Sequence, residues 1–299
     1  MATDVKELMA KVGKIRILTN RLIDDQLSGD YHSTFKGQGV EFDEVRPYTP
    51  GDDVRTIDWN VTARTGSPFI KRYSEERELT VLFMVDVSGS QGYGTAGRSK
   101  MQLSAELTAL LALTAIRNQD KIGLILFSDR IVKYIPPRKG RDSVMRLVRE
   151  VLAAEDGAEG GTDFAAALKF LNGVQKRRAV VFLVSDFMLP EKMRETAARL
   201  VSATARHHDM ICALVSDPAE SALPDVGLVE LEDPETGALR LVDTSSPAVR
   251  EAFAQAAREE SEELSRLLRR NAIDTLEVST ARPYIDGVRA LFKRRAMKR

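Results

Sequence analysis

The sequence predicts an α/β protein, an open sheet that is mostly parallel with one antiparallel edge strand and helices on both faces. Three observations carry this. From residue 79 onward, apolar runs of strand length alternate with segments of helical period, the pattern of a sheet wound with crossover helices. Two of those runs, 122–127 and 131–135, are joined only by Ser128, Asp129 and Arg130, too few residues for a parallel crossover, so one edge strand is antiparallel. The chain has 299 residues, 43% hydrophobic and 29% charged, which suffices for a full core and is too apolar for a disordered chain.

In chain order, 5–24 reads as an amphipathic helix, with Val5, Leu8, Met9 and Val12 on one stripe and Asp4 as its cap. Residues 37–78 carry Gly37, Gly39, Pro47, Pro50, Gly51, Gly66 and Pro68 between short β-like runs and read as irregular strands and turns. This sets a boundary: an N-terminal helix and strand-turn module over 1–78, then an α/β domain with a C-terminal extension over 79–299. In the second part, strands are predicted at 79–85, 122–127, 131–135, 179–184, 210–215 and 273–278. Helices are predicted at 99–118, 142–153, 163–173, 191–206, 247–270 and 283–294, and a hairpin at 226–231 and 238–242 turns through 233–237.

Composition narrows the function. Lys and Arg number 44 and Asp and Glu 44, so no excess of cations is available to neutralise nucleic-acid phosphates or an anionic membrane. Cys212 is the single cysteine and His32, His207 and His208 the only histidines, which disfavours disulfides, multi-cysteine zinc sites and histidine-rich centres. The N-terminus lacks the order of a signal peptide, and the most apolar stretch, 103–116, is too short and polar to span a bilayer. The expected compartment is therefore cytoplasmic.

Chemistry gathers after the strands. Asp86, Ser88 and Ser90 follow the first strand of the α/β region, and Gly89 lets that turn fold tightly. A glycine turn, Gly160-Gly161, presents Thr162, and the strand 179–184 delivers Asp186. Ligands of open α/β sheets bind beyond the carboxyl ends of strands where strand order reverses. Two carboxylates and three hydroxyls are hard oxygen donors suited to Mg²⁺ or Mn²⁺. The plainer reading is that Asp-x-Ser-Gly-Ser is only a turn and helix cap.

These five residues resemble the metal-ion-dependent adhesion site of von Willebrand factor A domains, whose pattern is Asp-x-Ser-x-Ser, a later Thr and a later Asp. The resemblance implies a von Willebrand A-like, Rossmann-like sheet, with Asp86, Ser88, Ser90, Thr162 and Asp186 holding the metal and a partner's Asp or Glu completing its coordination. Phe187 departs from the pattern, which often has Gly after that aspartate.

An upstream block sharpens the likeness. Gly39-Val-Glu-Phe42, Val45-Arg-Pro-Tyr-Thr-Pro-Gly-Asp-Asp53, Arg55-Thr-Ile-Asp-Trp59, Ala63-Arg64 and Lys71 are similar to the signature of the bacterial domain of unknown function 58 family. That resemblance implies a non-enzymatic metal-dependent protein–protein interaction module, an adaptor or co-chaperone, acting with a MoxR-type AAA+ ATPase. Read from the residues alone, Asp52, Asp53 and Asp58 with Arg46, Arg55 and Arg64 form either a second partner-binding site or a salt-bridged module anchored by Trp59 and Tyr48.

Two enzyme readings compete. Gly92, Gly94 and Gly97 match G-x-G-x-x-G and suggest an NAD-binding oxidoreductase, but six residues separate the strand from the first glycine, and no acidic residue ends the next strand. A metal-dependent phosphatase of the haloacid-dehalogenase type would use Asp86 as nucleophile, but Ser88 stands where its acid belongs. Elsewhere, Cys212 reads as a buried hydrophobe, His207-His208 as a cationic helix end, and the basic run 293–299 as a frayed tail.

Overall fold

The computed structural model describes residues 5–23, 25–35, 39–76, 78–155, 160–188, 191–232 and 238–297. Asp4, expected to cap the first helix, and the hairpin turn 233–237 lie outside them. The chain divides into two compact units, Phe35–Leu79 on one hand and Met1–Thr34 with Thr80–Arg299 on the other.

The helices α1 (Val5–Leu22) and α2 (Asp25–Thr34) group with the α/β unit, not with the irregular segment, which revises the expected 1–78 module. α2 was not expected. Its sequence holds Ser28 and Gly29, poor helix formers, and it is stabilised by burial of Leu27 and Tyr31. Tyr31 donates to Asp120 Oδ2 at 2.7 Å, and the Thr34 hydroxyl donates to the Phe292 carbonyl at 2.9 Å.

The smaller unit pairs β1 (Gly39–Pro47) with β2 (Phe69–Glu76) in antiparallel fashion around a short helix α3 (Trp59–Thr65). Asp58 caps α3 by accepting from the Asn60 and Val61 amides, and Gly66 closes it at φ 73°. Arg46 holds Asp52 with two hydrogen bonds of 2.9 and 2.7 Å; together with the Thr49 amide and hydroxyl this keeps the Asp52 carboxyl down at about 2. Asp53 pairs with Arg55, whereas Asp58 meets Lys71 at 3.4 Å, not Arg64. Trp59 is 70% exposed, so it does not anchor the unit as expected.

The larger unit holds β3 (Thr80–Asp86), α4 (Lys100–Arg117), β4 (Lys121–Phe127), β5 (Ile131–Arg138), α5 (Arg141–Ala153), α6 (Phe164–Val174), β6 (Val180–Ser185), α7 (Glu191–His207) and β7 (Asp209–Ser216). A separate two-stranded ribbon, β8 (Leu228–Glu232) with β9 (Leu239–Asp243), precedes α8 (Pro247–Arg270), β10 (Asp274–Ser279) and α9 (Ile285–Met297). Six strands form one sheet in the order β10-β7-β6-β3-β4-β5, parallel except for the edge strand β5.

β3, β4 and β6 are buried on both faces, which is why each reads as a continuous apolar run rather than an alternation. On one face Leu82, Met84, Ile125, Phe127, Val181 and Leu183 pack with Phe164, Leu168 and Leu171 of α6 and Val201 of α7. On the other face α4 is buried along nearly its whole length, with α1 and α5 packed against it. The sequence order reverses at β3, whose neighbours are β4 and β6. The switch point therefore opens at the carboxyl ends of β3 and β6, where Asp86 and Asp186 stand.

Candidate functional site

Backbone hydrogen bonds fix the loops that carry the site. After β3 the Val87 amide donates to the Phe127 carbonyl at 2.8 Å, and the chain enters a 3₁₀ turn over Gly89–Gly92. The Gly89 amide donates to the Gly160 carbonyl at 3.1 Å, joining the first loop to the second. The second loop is held in turn by the Asp163 amide on the Ser128 carbonyl at 2.8 Å, while the Asp163 side chain caps α6.

All five predicted residues meet. Asp86 Oδ1 accepts from the Ser88 amide at 3.0 Å, and Thr162 Oγ1 lies 3.4 and 3.2 Å from the two Asp86 oxygens. The Ser88 and Ser90 hydroxyls are 3.3 Å apart, and Ser90 donates to Asp186 Oδ2 at 2.7 Å. Asp86 and Ser88 are wholly buried, Ser90 and Thr162 nearly so. Gly89, Gly160 and Gly161, in the two loops that carry Ser88, Ser90 and Thr162, are half-buried. Asp129 lies beside it, 3.7 Å from where a Cβ on Gly160 would stand.

The structure adds residues that sequence reasoning did not select. Ser185, the last residue of β6, donates to Asp86 Oδ2 at 2.7 Å and accepts from the Phe187 amide at 3.0 Å. Lys100, the first residue of α4, is fully buried; its ammonium donates to Asp186 Oδ2 at 2.7 Å and to Glu220 Oε1. Glu220 also accepts from the Asp217 amide, while Asp217 accepts from the amide and hydroxyl of Thr95 and from Thr280. The capping pattern of Asp217-Pro-Ala-Glu220 was a readable signal for that turn; nothing local marked Lys100.

Phe187, which stands where the resemblance leads one to expect glycine, adopts a backbone conformation that glycine favours. It takes a left-handed φ of 58°, and its ring stacks on Phe164 at 5.2 Å. The glycines of the G-x-G-x-x-G run serve the turn: a Cβ on Gly94 would meet the Arg98 carbonyl at 2.1 Å, and Gly97 sits at φ 81°. The run begins where the 3₁₀ turn ends, not at the end of β3.

Charge in the site is unbalanced. Burial first, and the Asp186 carboxylate second, push the Asp86 carboxyl up to about 6. Burial alone would lower the Lys100 ammonium, but Asp186 and Glu220 more than offset this and hold it above its ordinary value. Among the described residues no group of three or more His, Cys, Asp or Glu side chains is arranged to hold a metal. What stands here is two carboxylates and three hydroxyls, a donor set that fits Mg²⁺ or Mn²⁺ and does not fit a soft ion.

Of three further expectations, that for Cys212 holds and the other two are corrected. Cys212 is buried, and burial pushes its thiol well above the ordinary range. His208 is not a cationic helix end: it is buried, its Nδ1 accepts from the Ala179 amide at 3.3 Å, and burial lowers its pKa. The basic run expected to fray is helical through Met297. Arg295 is buried between Asp209 at 2.5 Å and Asp274 at 2.8 Å.

Comparison with known proteins agrees with this architecture. The model of the family described as protein of unknown function DUF58 matches residues 44–263, and the chain belongs to that family. The uncharacterized protein Rv1480 of Mycobacterium tuberculosis is 32% identical over 296 residues, covering 98% of this chain and 91% of that protein. Among solved structures, the SpRpn10 VWA domain superposes with a TM-score of 0.37 at 11% identity, covering 71% of this chain and 93% of that one. An aerotolerance-related membrane protein from Bacteroides fragilis gives 0.48 at 15% identity, covering 74% and 100%. The sheet order with its single antiparallel edge is that of a von Willebrand A-like fold. The membrane description of the Bacteroides protein corrects the cytoplasmic assignment expected from the sequence, and no compartment is assigned. No described helix is long and apolar enough to cross a membrane.

Proposed function

We propose that this member of the DUF58 family is a non-enzymatic protein-interaction module that recognises its partner through a divalent cation held at the switch point of the sheet. The observation that carries the reading is the convergence of Asp86, Ser88, Ser90, Thr162 and Asp186 from three separate loops. Asp86 and Asp186 supply the negative charge, and the three hydroxyls supply neutral oxygens, a combination that leaves a divalent cation electrophilic. When bound, Mg²⁺ or Mn²⁺ offers a position that an Asp or Glu of the partner can fill. No imidazole stands beside these residues to act as a general base, and Ser185, Ser88 and Thr162 all direct donors toward Asp86, which favours holding a charge over nucleophilic attack.

The partner proposed is a MoxR-type AAA+ ATPase, on the strength of the family resemblance. The test is copurification of the chain with a MoxR-type ATPase from the same genome, in Mg²⁺ and in EDTA. A complex formed in Mg²⁺ and lost both in EDTA and with Asp86→Ala supports the reading. A complex of equal strength in EDTA overturns the metal-dependent mechanism.

A further inference from the structure

Lys100 is the feature of this site that the metal reading does not use. Its ammonium is fully buried, yet it enters a cluster already built to hold a cation. The helix start fixes its position: the Lys100 amide donates to the Tyr93 carbonyl at 2.9 Å, and Ser99 caps the helix by accepting from the Gln102 amide at 3.1 Å. The side chain therefore reaches Asp186 from an anchored backbone.

A carboxylate oxygen offers about two lone-pair positions. Asp186 Oδ2 already receives Ser90 Oγ and Lys100 Nζ, both at 2.7 Å, and Oδ1 receives the Met188 amide at 3.2 Å. A cation approaching Asp186 thus meets an acceptor largely occupied by donors, one of them charged. Glu220, with a side chain 15% exposed, shares the same ammonium and balances its charge. Counted as formal charges, Asp86, Asp186 and Glu220 against one ammonium leave two excess negative charges, the complement of one divalent cation.

We propose that Lys100 is an internal cation that competes with the divalent ion for Asp186, and that the Lys100–Glu220 pair thereby sets the affinity of the site. The inference rests on the metal-site reading above and deepens it. It makes Lys100 and Glu220 positioning residues, acting through Asp186, and it assigns them effects of opposite sign. Removing the ammonium leaves three excess charges and opens one acceptor position on Oδ2, which then receives only Ser90, so the cation binds more tightly. Removing the Glu220 charge leaves one excess charge and an ammonium committed wholly to Asp186, so the cation binds more weakly.

The test is titration of the full chain with Mn²⁺ at pH 8, reading free Mn²⁺ by electron paramagnetic resonance, with melting curves as a fold control. The variants are Lys100→Met, Glu220→Gln, the double variant and Asp86→Asn. The expected result is an affinity about tenfold or more higher for K100M and about tenfold or more lower for E220Q, with the double variant returning toward wild type. A merely structural role would weaken binding in both single variants. Equal weakening, or no change in E220Q while the wild type binds and D86N does not, overturns the inference and leaves the metal-site reading standing. Should K100M fail to fold, Lys100→Gln replaces it: tighter Mn²⁺ binding there supports the inference, and binding equal to or weaker than that of the wild type overturns it. Absence of Mn²⁺ binding in the wild type and every folded variant removes the metal-site reading and this inference with it.

Discussion

The Ser90 hydroxyl donates to Asp186 Oδ2 at 2.7 Å, although the two residues stand 96 positions apart in the chain. The bond joins the loop after β3 to the end of β6, neighbours in the sheet that are separated in sequence by α4, β4, β5, α5 and α6. Parallel pairing makes such meetings routine, because every parallel strand delivers its carboxyl end to the same edge of the sheet. Residues at the ends of β3 and β6 therefore converge without any local signal linking them, and the site's properties follow from what that convergence costs.

The first cost is charge. The Asp86 carboxyl stands at about 6, above its ordinary 3.8, so the folded state binds a proton there more readily than the unfolded chain does. Ionised Asp86 thus opposes folding of the metal-free protein, and the penalty grows as pH rises from about 4 to about 6. Asp86→Asn is expected to stabilise the metal-free protein at pH 8 by about 1–3 kcal/mol, with the gain shrinking toward pH 5. Mg²⁺ is expected to raise the melting temperature of the wild type and not of the variant. Urea melts at the two pH values, with and without Mg²⁺, check both; a variant less stable than wild type at pH 8 contradicts the charge argument.

The second cost is backbone strain at Phe187, which holds a φ of 58° while burying its ring on Phe164. A left-handed conformation costs a non-glycine residue roughly 1–2 kcal/mol, and loss of a buried Phe ring costs about 3–5 kcal/mol. Phe187→Ala loses the ring and keeps the strain, whereas Phe187→Gly loses the ring and relieves it. The glycine variant is therefore expected to be the more stable of the two by about 1 kcal/mol, the reverse of the usual order. Chemical denaturation of the pair measures this directly.

His208 gives stability a pH dependence of opposite sign to that of Asp86. Burial, followed by the nearby charges of His207 and Arg178, lowers its pKa below 6.5 in the folded state. The unfolded chain takes up a proton first, so this contribution is present above about pH 6.5 and is lost as pH falls toward the folded value. His208→Asn keeps an acceptor for the Ala179 amide without the titration. It is expected to flatten the decline in stability between pH 7 and pH 5, and D86N to steepen it. Parallel slopes in wild type and H208N would show that His208 charges as freely in the fold as outside it.

How far the chain was legible depends on whether a feature is local. The strands β3, β4 and β6 were visible because double-sided burial writes an uninterrupted apolar run. The five oxygen donors were visible because each lies at the end of a strand or in a loop that follows a strand or leads into a helix. α2 was not, since Asp25–Thr34 has weak helix propensity and is held by tertiary contacts of Leu27 and Tyr31. Lys100 was not, because a lysine in a first helical turn looks like any solvated one until the fold brings Asp186 and Glu220 to it. Charge pairing around 52–64 was legible only as a group; the cation that meets Asp58 arrives from β2 as Lys71.

The C-terminal helix was expected, but the basic run 293–299 was misread as a frayed tail, and Arg295 shows why the helix continues through Met297. Its guanidinium reaches Asp209 at the start of β7 and Asp274 at the start of β10, clamping α9 to two adjacent parallel strands. The Arg295 side chain is 7% exposed and those of its partners 17% and 16%, so the carboxylates keep some access to water. Removing the arginine leaves two neighbouring carboxylates without their shared cation, a loss of about 3–5 kcal/mol in a dry interior and about 2–3 kcal/mol at this exposure. Arg295→Met preserves the buried stem and isolates that electrostatic loss, while Arg295→Lys is expected to recover only part of it, since one ammonium cannot fork to both acids. Adding Asp209→Asn and Asp274→Asn to the methionine variant removes the repulsion and is expected to restore most of the stability. If R295M melts with the wild type, packing of the arginine stem and not its charge secures the helix; if it melts lower and the triple variant melts no higher, repulsion between the two acids is not the source of the loss.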